Sequence, residues 1–205
     1  MVRIILVRHG ETEWNKDHRI QGGASDVPLN AVGLRQATQV AERLKNERIE
    51  AVYSSPLQRA LYTAREIARH HQLEVSPLAA FREIDAGSLE GFPSSALKLR
   101  FDEYICRDNH VQNSGEYPLG EYICDVQKRS WEAVQGIAGQ IEGTAVIVTH
   151  YFVIMTLVCQ ILDLPLTQIG RMRLGQGTIT TFNLERQGTA WLELFNDGCH
   201  TSEKL

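Results

Sequence analysis

Residues 2 to 7 read Val-Arg-Ile-Ile-Leu-Val, an almost unbroken β-favouring run that stops at Arg8-His9-Gly10-Glu11. A strand that is apolar on both sides of its pleat must be covered on both faces. That places it centrally in a parallel sheet between two helical layers. The carboxyl ends of such strands form the edge at which open α/β sheets bind ligands. Arg8, His9 and Gly10 arrive together at that edge, although alone they also suit a capped strand end in which Arg8 pairs with an acidic neighbour and His9 is a boundary histidine.

The rest of the chain alternates in the same way. A polar, turn-rich stretch from Glu11 to Pro28 leads to an amphipathic helix behind Asn30, with Ala37, Val40, Ala41 and Leu44 on one face. Ala51 to Ser54 reads as a second strand. Ser54-Ser55-Pro56 then predicts a serine-capped helix with proline in its first turn, carrying Leu57, Ala60, Leu61, Ala64, Ile67, Ala68 and His71 at helical spacing. Val75 to Leu78 reads as a third strand, Leu119 to Ile141 as a helix, Ala145 to Thr149 as a strand and Phe152 to Leu162 as a helix. Thr178 to Leu184 and Ala190 to Phe195 form a hairpin turning at Arg186-Gln-Gly-Thr189. The fold class is therefore α/β, a three-layer α/β/α sandwich with a mostly parallel central sheet and an antiparallel edge strand. Residues 84–117 break the rhythm and read as a small helical cap over the site.

The 205 residues suit a single domain, 1–205, carrying that cap. A net charge of −4 excludes a broad nucleic-acid surface and makes any anion site a local one. Cys106, Cys124, Cys159 and Cys199 form no CxxC pair, and no signal peptide is legible, which together predict reduced thiols and a cytoplasmic protein. Residues 145–164 are apolar enough to suggest a membrane span. Thr149, His150, Gln160 and Asp163 interrupt them, so a buried strand running into a core helix explains them better. An exposed edge strand in the terminal hairpin would permit a homodimer.

Parallel strands bring their carboxyl ends to one edge, so Arg8, His9, Arg59 and His150 can meet although they are distant in sequence. Singly, His150 also fits a core histidine and Arg59 a surface helix arginine. Jointly, two guanidiniums and two imidazoles beside helix N-termini suit a tetrahedral dianion, and a histidine nitrogen is a competent nucleophile near neutral pH. Glu83, otherwise an exposed loop glutamate, gains an acid's role if a nearby dianion raises its pKa. No cluster of carboxylates and histidines has metal-ligand spacing, so no metal and no cofactor is expected.

These residues belong to an ordered set of motifs: Arg8-His-Gly-Glu11, Thr12-Glu-Trp-Asn15, Arg19-Ile-Gln-Gly22, Asp26-Val-Pro-Leu29, Ser54-Ser-Pro-Leu-Gln-Arg-Ala60, Glu83-Ile-Asp-Ala-Gly-Ser-Leu-Glu-Gly91, Gly120-Glu121 and Thr149-His150. In this set the chain resembles the histidine phosphatase superfamily, the phosphoglycerate-mutase-like proteins, from about Arg3 to Leu184. The resemblance implies that His9 is phosphorylated, that Arg8, Arg59 and His150 complete a phosphate pocket, and that Asn15 adds a hydrogen bond. It further implies that Glu83 protonates the leaving oxygen and that Gln21 and Gly22 border the entrance. Arg19 fits a structural ion pair as readily as a ligand.

Two departures bear on specificity. Tyr151 and Phe152 follow the second histidine where the family usually has glycine, which asks a tyrosine to hold the backbone there and places its ring beside the ligand. Tyr122 replaces a common serine. Mutases that resemble this chain carry arginine and tyrosine where Ile84 and Ala86 stand here, groups that would hold a small hydroxy acid for re-phosphorylation. The expectation is thus a phosphohistidine-forming hydrolase acting on a small or medium phosphomonoester. The alternatives are a phosphoglycerate-type mutase and a phosphate-binding module without turnover.

Overall fold

The computed structural model describes residues 1–98, 105, 120–185 and 187–201. Most of the expected cap, including Leu99, Arg100, Phe101, Tyr104, Cys106 and Arg107, lies outside the described residues, as does Arg186 of the hairpin turn. In chain order the elements are β1 (Val2–Arg8), α1 (Glu13–Lys16), α2 (Ala31–Leu44), β2 (Ile49–Ser54), α3 (Gln58–His71), β3 (Val75–Pro77), α4 (Ser95–Lys98), α5 (Ile123–Gln140), β4 (Thr144–Thr149), α6 (Tyr151–Ile161), β5 (Ile179–Leu184) and β6 (Ala190–Asp197). They build one six-stranded sheet in the order β3-β2-β4-β1-β5-β6. The first four strands are parallel; β5 runs antiparallel to β1, and β6 antiparallel to β5.

The pleat of β1 accounts for the three layers. Ile4 and Leu6 point to the face covered by α5 and α6, while Ile5 and Val7 point to the face covered by α2 and α3. Ile147 and Val148 of β4 divide in the same way, and all six side chains are fully buried. The apolar stretch at 145–164 resolves into β4 and the core helix α6, and no described helix is long and apolar enough to cross a membrane.

Local signals fixed the helix starts unevenly. Asn30 caps α2 as its sequence predicts, accepting the Gly33 N–H at 2.8 Å. The expected serine-capped start of α3 is corrected: Leu57 is the N-cap, and Ser55 instead accepts the Leu57 N–H at 3.3 Å ahead of the helix. Helix α5 begins at Ile123 rather than near Leu119.

Candidate active site

The register of two neighbouring strands assembles the centre of the site. Arg8 of β1 lies opposite Thr149 of β4, so the next residue on each strand is a histidine. The rings of His9 and His150 stand 5.0 Å apart, edge to face, at the carboxyl end of the sheet. Between β1 and β2 in the sheet lies β4, a crossover that opens a crevice at this edge.

Hydrogen bonds assign the two rings different jobs. His9 Nδ1 lies 2.7 Å from the Gly10 carbonyl oxygen, which can only accept. The proton therefore sits on Nδ1, and Nε2 keeps its lone pair. His150 Nε2 lies 2.7 Å from Ser55 Oγ. That hydroxyl can donate or accept there, and with either tautomer Nε2 is engaged and Nδ1 is the nitrogen left over. Burial foremost, then the charges of Arg59 and its neighbours, holds both histidines well below 6.5 and hence neutral.

Two guanidiniums flank them. Arg8 donates to Leu174 O at 2.5 Å and lies over the Tyr151 ring, 5.3 Å from its centroid. Arg59 is completely buried, with Nη1 donating to Ser25 O at 2.8 Å and Nη2 to Gly22 O at 3.2 Å. Desolvation lowers its pKa to about 10, which still leaves it charged at neutral pH. Arg8 Nε, Arg59 Nε and His150 Nδ1 are buried and have no hydrogen-bond partner among the described residues. Buried polar nitrogens without partners are costly and rare, and here three of them collect around His9.

Glu83 closes the site opposite. Its carboxylate accepts the Ile84 N–H at 2.9 Å and the Phe152 N–H, in the first turn of α6, at 3.3 Å. Burial raises its pKa against the pull of those donors and of Arg59 and Arg8. The cause differs from the one the sequence suggested: desolvation alone already biases the carboxyl towards its acid form. Arg129 braces this loop from behind. It pairs twice with Glu121, at 2.7 and 3.0 Å, and donates to Ala80 O at 2.6 Å and Glu83 O at 3.5 Å.

A cavity of about 540 Å³ opens in front of His9 and is lined by Arg8, Asn15, Gln21, Glu83 and Tyr151. Asn15 spends Oδ1 on the Thr12 N–H in a capping box at the start of α1, so its Nδ2 amide is the end left to donate towards the cavity. Gln21 is positioned by Thr12 Oγ1, at 2.8 Å. Arg59 and His150 stand behind the wall. Gly22 also stands off the cavity, with its carbonyl holding Arg59, and a Cβ there would come within 2.3 Å of Glu90 Oε1. Gly10 likewise serves packing: a Cβ would lie 2.4 Å from Gly33 O, where α2 abuts the turn.

Tyr151 needs no left-handed backbone, since it is the first helical residue of α6 and has no positive φ. The dihedral demand expected of it is thereby removed, while its ring does line the cavity. Arg19 forms no ion pair among the described residues: it donates to Gly91 O at 2.7 Å and stacks over Trp14. The sequence reading missed Arg173, which lines the cavity from a loop without periodicity, and Arg129, which reads as an ordinary polar position of α5. Ile84 and Ala86 are buried and also line the cavity.

Comparison with known proteins gives concordant findings. The model of the histidine phosphatase superfamily (branch 1) matches residues 4–197. A probable phosphoglycerate mutase GpmB from Proteus mirabilis is 35% identical, over 94% of this chain and 88% of its own length. Phosphoserine phosphatase 1 from Hydrogenobacter thermophilus is 31% identical, over 99% and 96%. The crystal structure of a phosphoserine phosphatase from Entamoeba histolytica, in complex with 3-phosphoglyceric acid, superposes with a TM-score of 0.83 at 33% identity, covering 98% of this chain and all of that one.

Proposed function

The chain belongs to the histidine phosphatase superfamily, and from that premise we propose that it hydrolyses phosphomonoesters without a metal ion, with His9 as nucleophile and Glu83 as acid and then base. The observation that carries this reading is the set of buried, unpartnered nitrogens Arg8 Nε, Arg59 Nε and His150 Nδ1 around the lone pair of His9 Nε2. Together with Asn15 Nδ2 they suit the equatorial oxygens of a phosphoryl group, whose transfer depends mainly on positioning and charge stabilisation.

Two in-line steps follow. His9 Nε2 attacks phosphorus as the P–O ester bond breaks, and the Glu83 carboxyl proton goes to the leaving alkoxide. Water then attacks the phosphohistidine, Glu83 takes its proton, the P–N bond breaks and inorganic phosphate leaves. Ile84 and Ala86 support hydrolysis over mutase turnover, because they leave the wall next to Glu83 apolar, and the cations that could hold a carboxylate, Arg19 and Arg173, stand on other segments of the lining. For the substrate we infer a medium-sized phosphomonoester with an apolar part, suited to Ile20, Ile84, Ile123, Phe152 and Ile169, and a further anionic group within reach of Arg19 and Arg173.

Phosphate release from p-nitrophenyl phosphate tests the reaction. It is expected to persist in chelator and to vanish in His9→Ala, with an acid-labile, alkali-stable phosphoprotein trapped on His9. Orthophosphate binding without release supports the module without turnover, and exchange of phosphoryl positions in phosphoglycerate supports the mutase.

A further inference from the structure

A second group of ligating side chains lies where β6 ends. Among the described residues, Asp197, Cys199 and His200 are the one set of three His, Cys, Asp or Glu side chains that each offer a ligand atom with all three atoms within 4.8 Å of one another. Asn196, at φ 56°, turns the chain there, and the Asp197 carboxylate accepts the Cys199 N–H at 3.0 Å, folding residues 197–200 back over Gly177.

His200 supplies the independent observation. Its Nε2 lies 2.8 Å from Gly177 O, an atom that only accepts, so Nε2 carries the proton and Nδ1 the lone pair. That Nδ1 is buried and has no hydrogen-bond partner among the described residues. An imidazole whose N–H is anchored on a backbone carbonyl while its other nitrogen stays unsatisfied has the second-shell arrangement of a metal-ligating histidine.

We propose that Asp197, Cys199 and His200 form a binding site for a thiophilic divalent cation such as Zn²⁺. One carboxylate, one thiolate and one imidazole favour zinc over magnesium or calcium, which prefer oxygen alone. Zn–S at about 2.3 Å and Zn–N at about 2.0 Å require the ligand atoms, all within 4.8 Å of one another, to draw together by at most about 1.3 Å, which the exposed Cys199 allows. Binding ionises the thiol, whose proton goes to solvent, and water fills the fourth position. Arg43 faces Asp197 and Cys199 but also reaches Glu47, at 3.7 Å, where it can remain. The ion stands behind the reacting atoms: Gly177, which anchors His200, donates its N–H to the carbonyls of Arg8 and His9 at 3.1 and 3.2 Å. Occupancy therefore pins the loop that backs the strand end, and raises the melting temperature by mass action.

Co²⁺ titration of the full chain tests the site. One equivalent is expected to give a thiolate-to-cobalt charge-transfer band that is lost in Cys199→Ser, weakened at least about tenfold in affinity in His200→Gln, and retained in His9→Ala. Cys199 is exposed, so its serine variant is expected to melt like the parent protein without metal. Should His200→Gln fail to fold, Asp197→Asn takes its place with the same expectation. Binding without a thiolate band, a band that survives Cys199→Ser, or binding lost in His9→Ala would overturn the proposal, the last by placing the metal among the catalytic histidines.

Discussion

His9 and His150 lie side by side in the interior, and desolvation holds both well below 6.5. A folded-state value below the unfolded one means that the unfolded chain takes up more protons, so this contribution to stability is complete above about pH 6.5 and is lost as pH falls towards the folded values. Thermal melts are therefore expected to drop between about pH 7 and pH 5, and the slope to flatten in His150→Asn. Glu83 has the opposite sign. Its raised pKa gives stability below the ordinary carboxylate value that is lost as pH rises through the folded value, so at neutral pH the buried charge destabilises. Glu83→Gln is thus expected to raise the melting temperature at pH 7 while cutting kcat about 10²- to 10⁴-fold for alkyl phosphates. The loss should be smaller for p-nitrophenyl phosphate, whose leaving group needs no proton.

Helix α5 does more than cover the sheet. Its Arg129 reaches through to the Ala80 and Glu83 carbonyls and is fixed by two bonds to Glu121, so one helix sets the position of a loop carboxyl. Arg129→Met should lower kcat by up to about 10²-fold with little change in KM, and should shift the pH limb assigned to Glu83. Glu121→Gln should give the same pattern more weakly. A loss confined to stability, with an unmoved pH profile, would reduce Arg129 to a packing residue. The helices also show which local rules held. Asn30 capped α2 where its side chain predicted, because an N-cap is decided within three residues. The start of α3 falls past Pro56, and Ser55 Oγ is held between the Leu57 N–H and His150, a partner 95 residues away.

In the whole molecule, the fold brings segments from Arg8 to Arg173 to one cavity whose inner end is basic and whose walls are apolar, with Arg19 and Arg173 exposed among its lining. A panel of phosphomonoesters is expected to rank those with an added carboxylate above neutral ones. Arg173→Ala should raise KM for the carboxylated members by about fivefold and leave p-nitrophenyl phosphate unchanged, since an exposed charge-assisted contact is worth about 1 kcal/mol. The β/α alternation, the central burial of β1 and the motif residues Arg8, His9, Arg59, Glu83 and His150 were all legible in the chain, because each is written in local periodicity or in a compact motif. The seating of His150 on Ser55, the complete burial of Arg59, the bracing of Glu83 by Arg129 and the cavity position of Arg173 were not. Each depends on a partner dozens to more than a hundred residues away, and only the register of the strands and the packing of helices and loops against the sheet decide those distances.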